Sequence, residues 1–357
     1  MNVHQIISAL SFGDAVSNDA IALRKILRKN GFNSNIYAKY IDPRVSDFVE
    51  PIEKYQPDPT TIMIYHFAFG GAGVSEYVMD LPDIKILKYH NITPPHFFYP
   101  YNKNIALGCE TGLKELKELI RHFHFGFGDS KFNCTDLNKL GLTKTVVLPV
   151  LLDFENINQM NNKISPLKEQ NMVNIIFVGR ISPNKKQDDL LKIFYFYHFF
   201  INKNSRLSFI GKCDDDLYYH HLRNLIKKLD LEQAVVFTGL IENDHLIRHY
   251  KTADVFLCMS EHEGFCVPLV ESMYFGIPII AFNSSCIPDT LGNSGILIND
   301  KSKYEEIAEL MDLVINDQTL KEKIVKRQRE RLKDFEERNI ETILLRSIKE
   351  ISKEIEG

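Results

Sequence analysis

Short apolar runs rich in β-branched and aromatic residues recur along the chain, each followed by a polar turn and a stretch of helical period. That alternation predicts parallel α/β architecture. Residues 3–10 read as a first strand ending at Ser11-Phe12-Gly13-Asp14, with a helix from about Ser17 to Lys29. Residues 61–65 and 85–89 read as strands that each lead into a histidine, His66 and His90. A helix is expected over 112–123 and a strand over 145–148.

Residues 156–171 are then rich in Asn, Gln and Lys, which reads as an exposed linker. A second alternating set follows. Strands are expected over 173–178, 206–210, 235–237, 255–258 and 277–282, and helices over 187–202, 218–229, from Pro268, and over 302–316. The tail from Leu320 is dense in Lys, Arg and Glu and reads as a mostly solvated helix. The expected organisation is an N-terminal Rossmann-like domain over 1–160, a C-terminal one over 172–335, and a helix over 336–357 returning towards the N-terminal domain. Ligands of such sheets gather at the carboxyl ends of strands, so residues just after strands lead the site candidates.

Composition changes this picture little. With 44% hydrophobic and 25% charged residues in 357, the chain has material for two cores. A net charge of -4 offers no basic field for nucleic acid. The six cysteines form no C-x-x-C pair, which points to reduced, packed thiols. The start Met1-Asn2-Val3-His4 is unlike a signal peptide and no apolar run approaches bilayer length, so a cytoplasmic location is expected.

Two segments carry the candidate chemistry. Phe177-Val178-Gly179-Arg180 through Lys185 joins a strand to a helix. Gly179 permits a tight turn, and Arg180 and Lys185 suit a diphosphate, supported by the helix N-terminus. Alone, the segment reads more readily as a surface turn with solvated cations. The second segment, Glu263-Gly264-Phe265-Cys266-Val267-Pro268-Leu269-Val270-Glu271, sets two carboxylates in an apolar stretch. Buried carboxylates require partners, which sugar and ribose hydroxyls supply. Asp214-Asp215-Asp216 contains Asp-x-Asp but precedes a helix and reads as an N-cap cluster, with magnesium the weaker alternative.

Together, strand-Gly-Arg-x4-Lys and Glu-Gly-Phe-x-x-Pro-x-x-Glu resemble the retaining glycosyltransferases of family 4 (glycosyl transferases group 1), whose GT-B fold sets two Rossmann-like domains facing a central cleft. Phe237-Thr238-Gly239, Ala253-Asp254-Val255-Phe256-Leu257 and Glu271-Ser272-Met273-Tyr274-Phe275-Gly276-Ile277-Pro278 extend the resemblance over the C-terminal half. Ser272, Tyr274 and Met259 depart from the family's usual residues. The resemblance implies that Arg180 and Lys185 hold the donor diphosphate. Glu263, with the backbone at Gly264 and Phe265, would hold the donor sugar and Glu271 the ribose. Gly179, Gly211, Leu240, Ile241 and Leu269 would complete the donor site. No metal or other cofactor is implied, and the leaving phosphate would take the acceptor proton in a same-face displacement. Glu263 as a covalent nucleophile is the lesser reading.

In the N-terminal half, Gly13-Asp14 stands where the family has an acceptor or phosphate loop, although only one glycine is present. His90, in Tyr89-His90-Asn91-Ile92-Thr93-Pro94-Pro95, resembles the family's interdomain histidine that faces the transferred sugar, with His66 as rival. The basic stretch Arg24-Lys25-Ile26-Leu27-Arg28-Lys29 reads as a solvated face, or as a contact with the inner membrane surface. Aromatic residues 194–200 read as packing against the sheet.

The expectation is a hexosyltransferase of the mannose or glucose type, using a GDP- or UDP-sugar. Its acceptor would be a hydroxyl of a surface polysaccharide, such as lipopolysaccharide, or of a lipid-linked oligosaccharide. The alternative is a non-catalytic sugar-nucleotide-binding subunit of the same fold. A dehydrogenase is disfavoured by the lack of Gly-x-Gly-x-x-Gly after the first strand.

Overall fold

The computed structural model describes residues 1–165 and 171–356. The chain forms two compact units. Unit 1 comprises Met1–Pro95, Asn104–Asp153 and Asp334–Gly357; unit 2 comprises His96–Lys103 and Phe154–Lys333.

Unit 1 is built on a seven-stranded parallel sheet. Its strands are β1 (Val3–Leu10), β2 (Ile36–Ile41), β3 (Glu50–Pro51), β4 (Ile62–Phe67), β5 (Ile84–Tyr89), β6 (Phe125–Gly128) and β7 (Thr145–Val147), in the order β3-β2-β1-β4-β5-β6-β7. The order reverses between β1 and β4, so the carboxyl ends of these two strands flank the crevice where doubly wound sheets bind ligands. The helices α1 (Ala15–Lys29), α2 (Val74–Met79), α3 (Lys103–Leu119) and α4 (Lys131–Lys139) connect the strands. Helix α3 starts at Lys103, earlier than the expected 112–123. Gly112 sits inside the helix because a Cβ there would lie 2.8 Å from the Gly70 backbone nitrogen. Strand β6 (Phe-Gly-Phe-Gly) lacks β-branched residues for a related reason: a Cβ at Gly128 would meet the Cys134 backbone of α4 at 2.8 Å.

Unit 2 repeats the plan with β8 (Val173–Val178), β9 (Ser205–Ile210), β10 (Val235–Gly239), β11 (Val255–Cys258), β12 (Ile279–Phe282) and β13 (Ile296–Ile298), all parallel, in the order β10-β9-β8-β11-β12-β13. Its switch point lies between β8 and β11. The helices are α5 (Phe154–Asn161), α6 (Gln187–Phe196), α7 (Asp216–Lys228), α8 (Asn243–Thr252), α9 (Val267–Phe275), α10 (Ile287–Leu291), α11 (Tyr304–Asn316) and α12 (Gln318–Leu332). Helix α5 occupies part of the stretch read as linker. Lys251 anchors its end by donating to the carbonyls of Asn161 and Ile164. Residues 166–170 of that stretch lie outside the described residues. Asp215 is the N-cap of α7, accepting from the Tyr218 amide at 3.1 Å, while Asp214 pairs with Lys212.

The last helix, α13 (Glu337–Glu356), departs from the solvated reading. Its Ile340, Leu344, Ile348 and Ile351 are buried in one cluster with Val3, Leu23, Leu27, Ile64 and Phe127 of unit 1. Those spacings place them on one helical face. Most of the basic stretch on α1 is also engaged within unit 1. Arg24 donates to the Phe48 carbonyl, Arg28 to the Ser34 carbonyl and Asn35, and Lys29 pairs with Glu337 and Glu341 of α13. On the aromatic stretch, Phe194 and Tyr197 are buried but Phe200 is 70% exposed. No helix of the described residues is long and apolar enough to cross a membrane.

Candidate functional site

The unit 2 candidates gather at the carboxyl ends of β8, β9, β10 and β11, around the switch point. Three glycines allow the first three strand ends to approach closely. Gly179 has φ +144°, Gly211 +145° and Gly239 +67°. The Gly179 amide donates to the Ile210 carbonyl at 2.9 Å, and the Gly211 amide to Gly239 at 3.1 Å. A Cβ on Gly211 would stand 2.1 Å from the Gly179 carbonyl oxygen. Gly211→Ala therefore combines backbone strain with a clash against main chain, and is expected to cost about 2–4 kcal/mol of stability. A denaturant midpoint equal to wild type would contradict this.

Beyond Gly179 the chain carries Arg180, exposed, then a short turn at Pro183–Lys185. Lys185 reaches the Glu263 carboxylate in a direct ion pair, with side-chain exposures of 17% and 7%. The structure thus brings together a cation and an anion that lie far apart in sequence. Two residues that the motifs did not single out position them. Buried Asn184 accepts from the Glu261 amide at 2.9 Å through its main-chain carbonyl and donates from Nδ2 to the His262 carbonyl at 2.9 Å. Ser285 accepts the Glu263 amide on Oγ at 2.9 Å, from a backbone at φ +46°. Neither has a signal in the local sequence, because each acts on a segment distant along the chain.

Glu271, on α9, accepts from the Tyr250 hydroxyl of α8 at 2.5 Å. Burial raises its pKa, opposed by this hydrogen bond. Leu269 is fully buried in the core, whereas Leu240 is 54% exposed. Gly264 and Phe265 precede α9, whose N-cap Cys266 stands at φ +63°. No side chain caps that helix by a hydrogen bond, and its first turn carries no acidic residue. Cys258, Glu263 and Cys266 offer ligand atoms within 4.8 Å of one another. The two thiols, however, hydrogen-bond each other and Lys185 occupies Glu263, which makes the cluster a packed group. A pocket of about 220 Å³ on unit 2 is lined by Phe97, Tyr101, Pro183, Lys186, Asp188 and Glu261 among others; it adjoins the loops of Lys185 and Glu263, but none of the predicted donor residues lines it.

In unit 1, Gly13 (φ +75°) and Asp14 follow β1. Asp14 caps α1, accepting from the Ser17 amide and hydroxyl at 3.0 Å each. His90 follows β5 with its side chain 2% exposed and both ring nitrogens engaged: Nδ1 with Asp129 and Nε2 with His66, each at 2.9 Å. His66, the rival, is also buried, and burial pushes its pKa well down.

Two parallel α/β sheets with polar and charged groups at their carboxyl edges define the class, and the fold is GT-B. The structure of Anabaena Alr3699/HepE in complex with UDP-glucose aligns with a TM-score of 0.74 at 15% identity, covering 98% of this chain and 100% of that one. The chain carries a glycosyl transferases group 1 domain, matched over residues 158–331. It is 27% identical over 239 residues to a 41.2 kDa protein of the cps region of Klebsiella pneumoniae, covering 63% of this chain and 61% of that protein. It is 26% identical over 247 residues to the capsular polysaccharide biosynthesis glycosyltransferase CapM of Staphylococcus aureus, covering 65% of this chain and 59% of CapM. The chain therefore spans about three fifths of the length of these curated relatives.

Proposed function

We propose that the chain is a family 4 retaining glycosyltransferase. It would move a hexose of the mannose or glucose type from a UDP- or GDP-sugar to a hydroxyl of a surface-polysaccharide or lipid-linked acceptor, with no metal. The observation that carries this reading is the Lys185–Glu263 pair beside Arg180 at the switch point of a group 1 domain. The capsule-related relatives support the acceptor class, and the UDP-glucose complex of HepE supports the donor class.

Cleaving a glycosyl–phosphate bond leaves negative charge on the diphosphate and positive character on the sugar ring. Arg180, Lys185 and the N-terminus of α9 are positive charges placed for the first. Glu263 holds sugar hydroxyls and, through its pairing, keeps the Lys185 ammonium in place. Glu271 holds the ribose, exchanging its Tyr250 partner for hydroxyls. Fixed cations make a metal unnecessary, and the departing phosphate oxygen is the base that takes the acceptor proton. In unit 1, the β1 and β5 edges, with Gly13, Asp14 and the turn at His90, receive the acceptor.

Arg180→Ala and Lys185→Ala test the diphosphate role. Each removes a charge-assisted contact of about 1.5–3 kcal/mol, so UDP or GDP binding by calorimetry should weaken roughly ten- to hundredfold. Affinity unchanged in both variants would refute it.

A further inference from the structure

A continuous hydrogen-bond chain runs through the carboxyl side of the unit 1 sheet. Gln5 of β1 donates from Nε2 to the Ala20 carbonyl at 3.1 Å, which turns Oε1 towards His66 Nε2 at 2.8 Å. His66 Nδ1 stands 2.9 Å from His90 Nε2, and His90 Nδ1 stands 2.9 Å from Asp129 Oδ2. Asp129 Oδ1 accepts from Lys88 Nζ at 2.5 Å. Lys88 also donates to the Leu148 carbonyl at 2.5 Å and lies 3.6 Å from Asp19 Oδ2 on α1. Asp19 Oδ1 accepts from the Leu151 amide at 2.9 Å. All six side chains are buried.

The direction of every bond follows from one end. Ala20 fixes the Gln5 amide, because the reverse orientation would set two carbonyl oxygens face to face. An amide oxygen only accepts, so His66 carries a hydrogen on Nε2. His66, held neutral by burial, then offers a lone pair at Nδ1. His90 must donate to it from Nε2. On its other side, Asp129 accepts from the Lys88 ammonium at Oδ1, which keeps it a carboxylate against the cost of burial. His90 donates there too, from Nδ1. A ring that donates from both nitrogens is an imidazolium. Removing its proton would leave two lone pairs facing each other at 2.9 Å, or one facing a carboxylate. Two basic groups, Lys88 and His90, face two acidic ones, Asp129 and Asp19, the latter with its pKa raised by burial. A shared metal does not fit as well. Two nitrogens bound to one zinc at about 2.0–2.1 Å each stand further apart than a hydrogen bond allows.

We propose that Gln5, His66 and Asp129 are positioning residues that hold His90 as an imidazolium, and so fix the turn at the carboxyl end of β5. That turn holds Asn91 at φ +78°, with Asn91 Nδ2 donating to Asn133 Oδ1 at 2.9 Å and Asn133 Nδ2 donating to the Tyr89 carbonyl at 3.1 Å. The consequence for catalysis rests on the acceptor role given above to the β5 edge. The proton assignment itself does not.

The test is nitrogen-15 NMR of histidine-labelled protein across a pH series, in wild type, Gln5→Leu and Gln5→Glu. At about pH 7.5, wild-type His90 should show two protonated nitrogens and His66 an Nε2–H tautomer. Gln5→Leu frees the His66 tautomer and should remove the second His90 proton at that pH, while Gln5→Glu, which keeps an acceptor in place, should retain it. A wild-type His90 with one protonated nitrogen at that pH, or a Gln5→Leu titration equal to wild type, overturns the proposal. The basic limb of UDP-glucose hydrolysis should move with the NMR titration, and a limb unmoved in Gln5→Leu would remove the positioning role. If no hydrolysis occurs at any pH while the NMR result holds, the transferase reading fails and the proton assignment stands.

Discussion

Glu263→Gln should lower turnover of the sugar nucleotide by roughly 10²–10³, or about 3–4 kcal/mol of transition-state stabilisation. The substitution keeps the shape of the side chain and the backbone bond from the Glu263 amide to Ser285. What it removes is the charge that pairs with Lys185. The ammonium, no longer tethered, loses the fixed position that makes it effective at the moment the diphosphate departs. The loss should fall on kcat more than on KM, because ground-state binding still has Arg180 and the α9 N-terminus. Unfolding should change little, since Lys185 at 17% exposure can rehydrate. A kcat within a few-fold of wild type would remove Glu263 from the mechanism.

Lys88→Met should be the most damaging single change to stability, at about 3–5 kcal/mol. Lys88 is fully buried between Asp129 and Asp19. Burial opposes its charge, yet the two carboxylates outweigh that and its pKa is raised. Methionine fills similar space but leaves two buried carboxylates against His90 alone. The pH dependence should change as well. Asp129 has its folded pKa below the unfolded value, so its contribution is complete above the unfolded carboxyl pKa of about 3.9 and is lost as pH falls through the folded value. Wild type should therefore lose stability in acid, and Lys88→Met should lose less of it. Equal denaturation midpoints for the two proteins at neutral pH would contradict the charge balance assigned to this cluster.

The strand ends were the most legible part of the chain. Parallel strands buried on both faces are continuous apolar runs, and the residues after them, Gly179-Arg180 and Glu263, are set off from those runs by polarity. The tight turn expected at Gly179 is present, at φ +144°, whereas the close main-chain approach that excludes a Cβ at Gly211 left no sign in the sequence. The Asn184 and Ser285 contacts were not legible, since each bonds a loop from another strand and leaves no local pattern. The apolar stripe Ile340, Leu344, Ile348 and Ile351 was hidden by the dense charge on the other faces of α13. Helix α5 was hidden by its Asn-rich composition. In unit 1 the sequence offered His66 and His90 as rivals at two strand ends. Parallel register sets His66 beside Lys88 on β5, and His90 follows directly, so the two rings meet and share one hydrogen bond. Only pairing of β4 with β5 could reveal that.

The central claim is transfer of a hexose from a nucleotide diphosphate with its configuration kept and no metal required. Proton NMR of hydrolysis in EDTA, with UDP-glucose, UDP-N-acetylglucosamine and GDP-mannose supplied in turn, tests it most directly. The account predicts slow hydrolysis of at least one donor without metal, with the α-anomer of the sugar released first. Hydrolysis of none of the three, activity that appears only on adding magnesium, or first release of the β-anomer would contradict it.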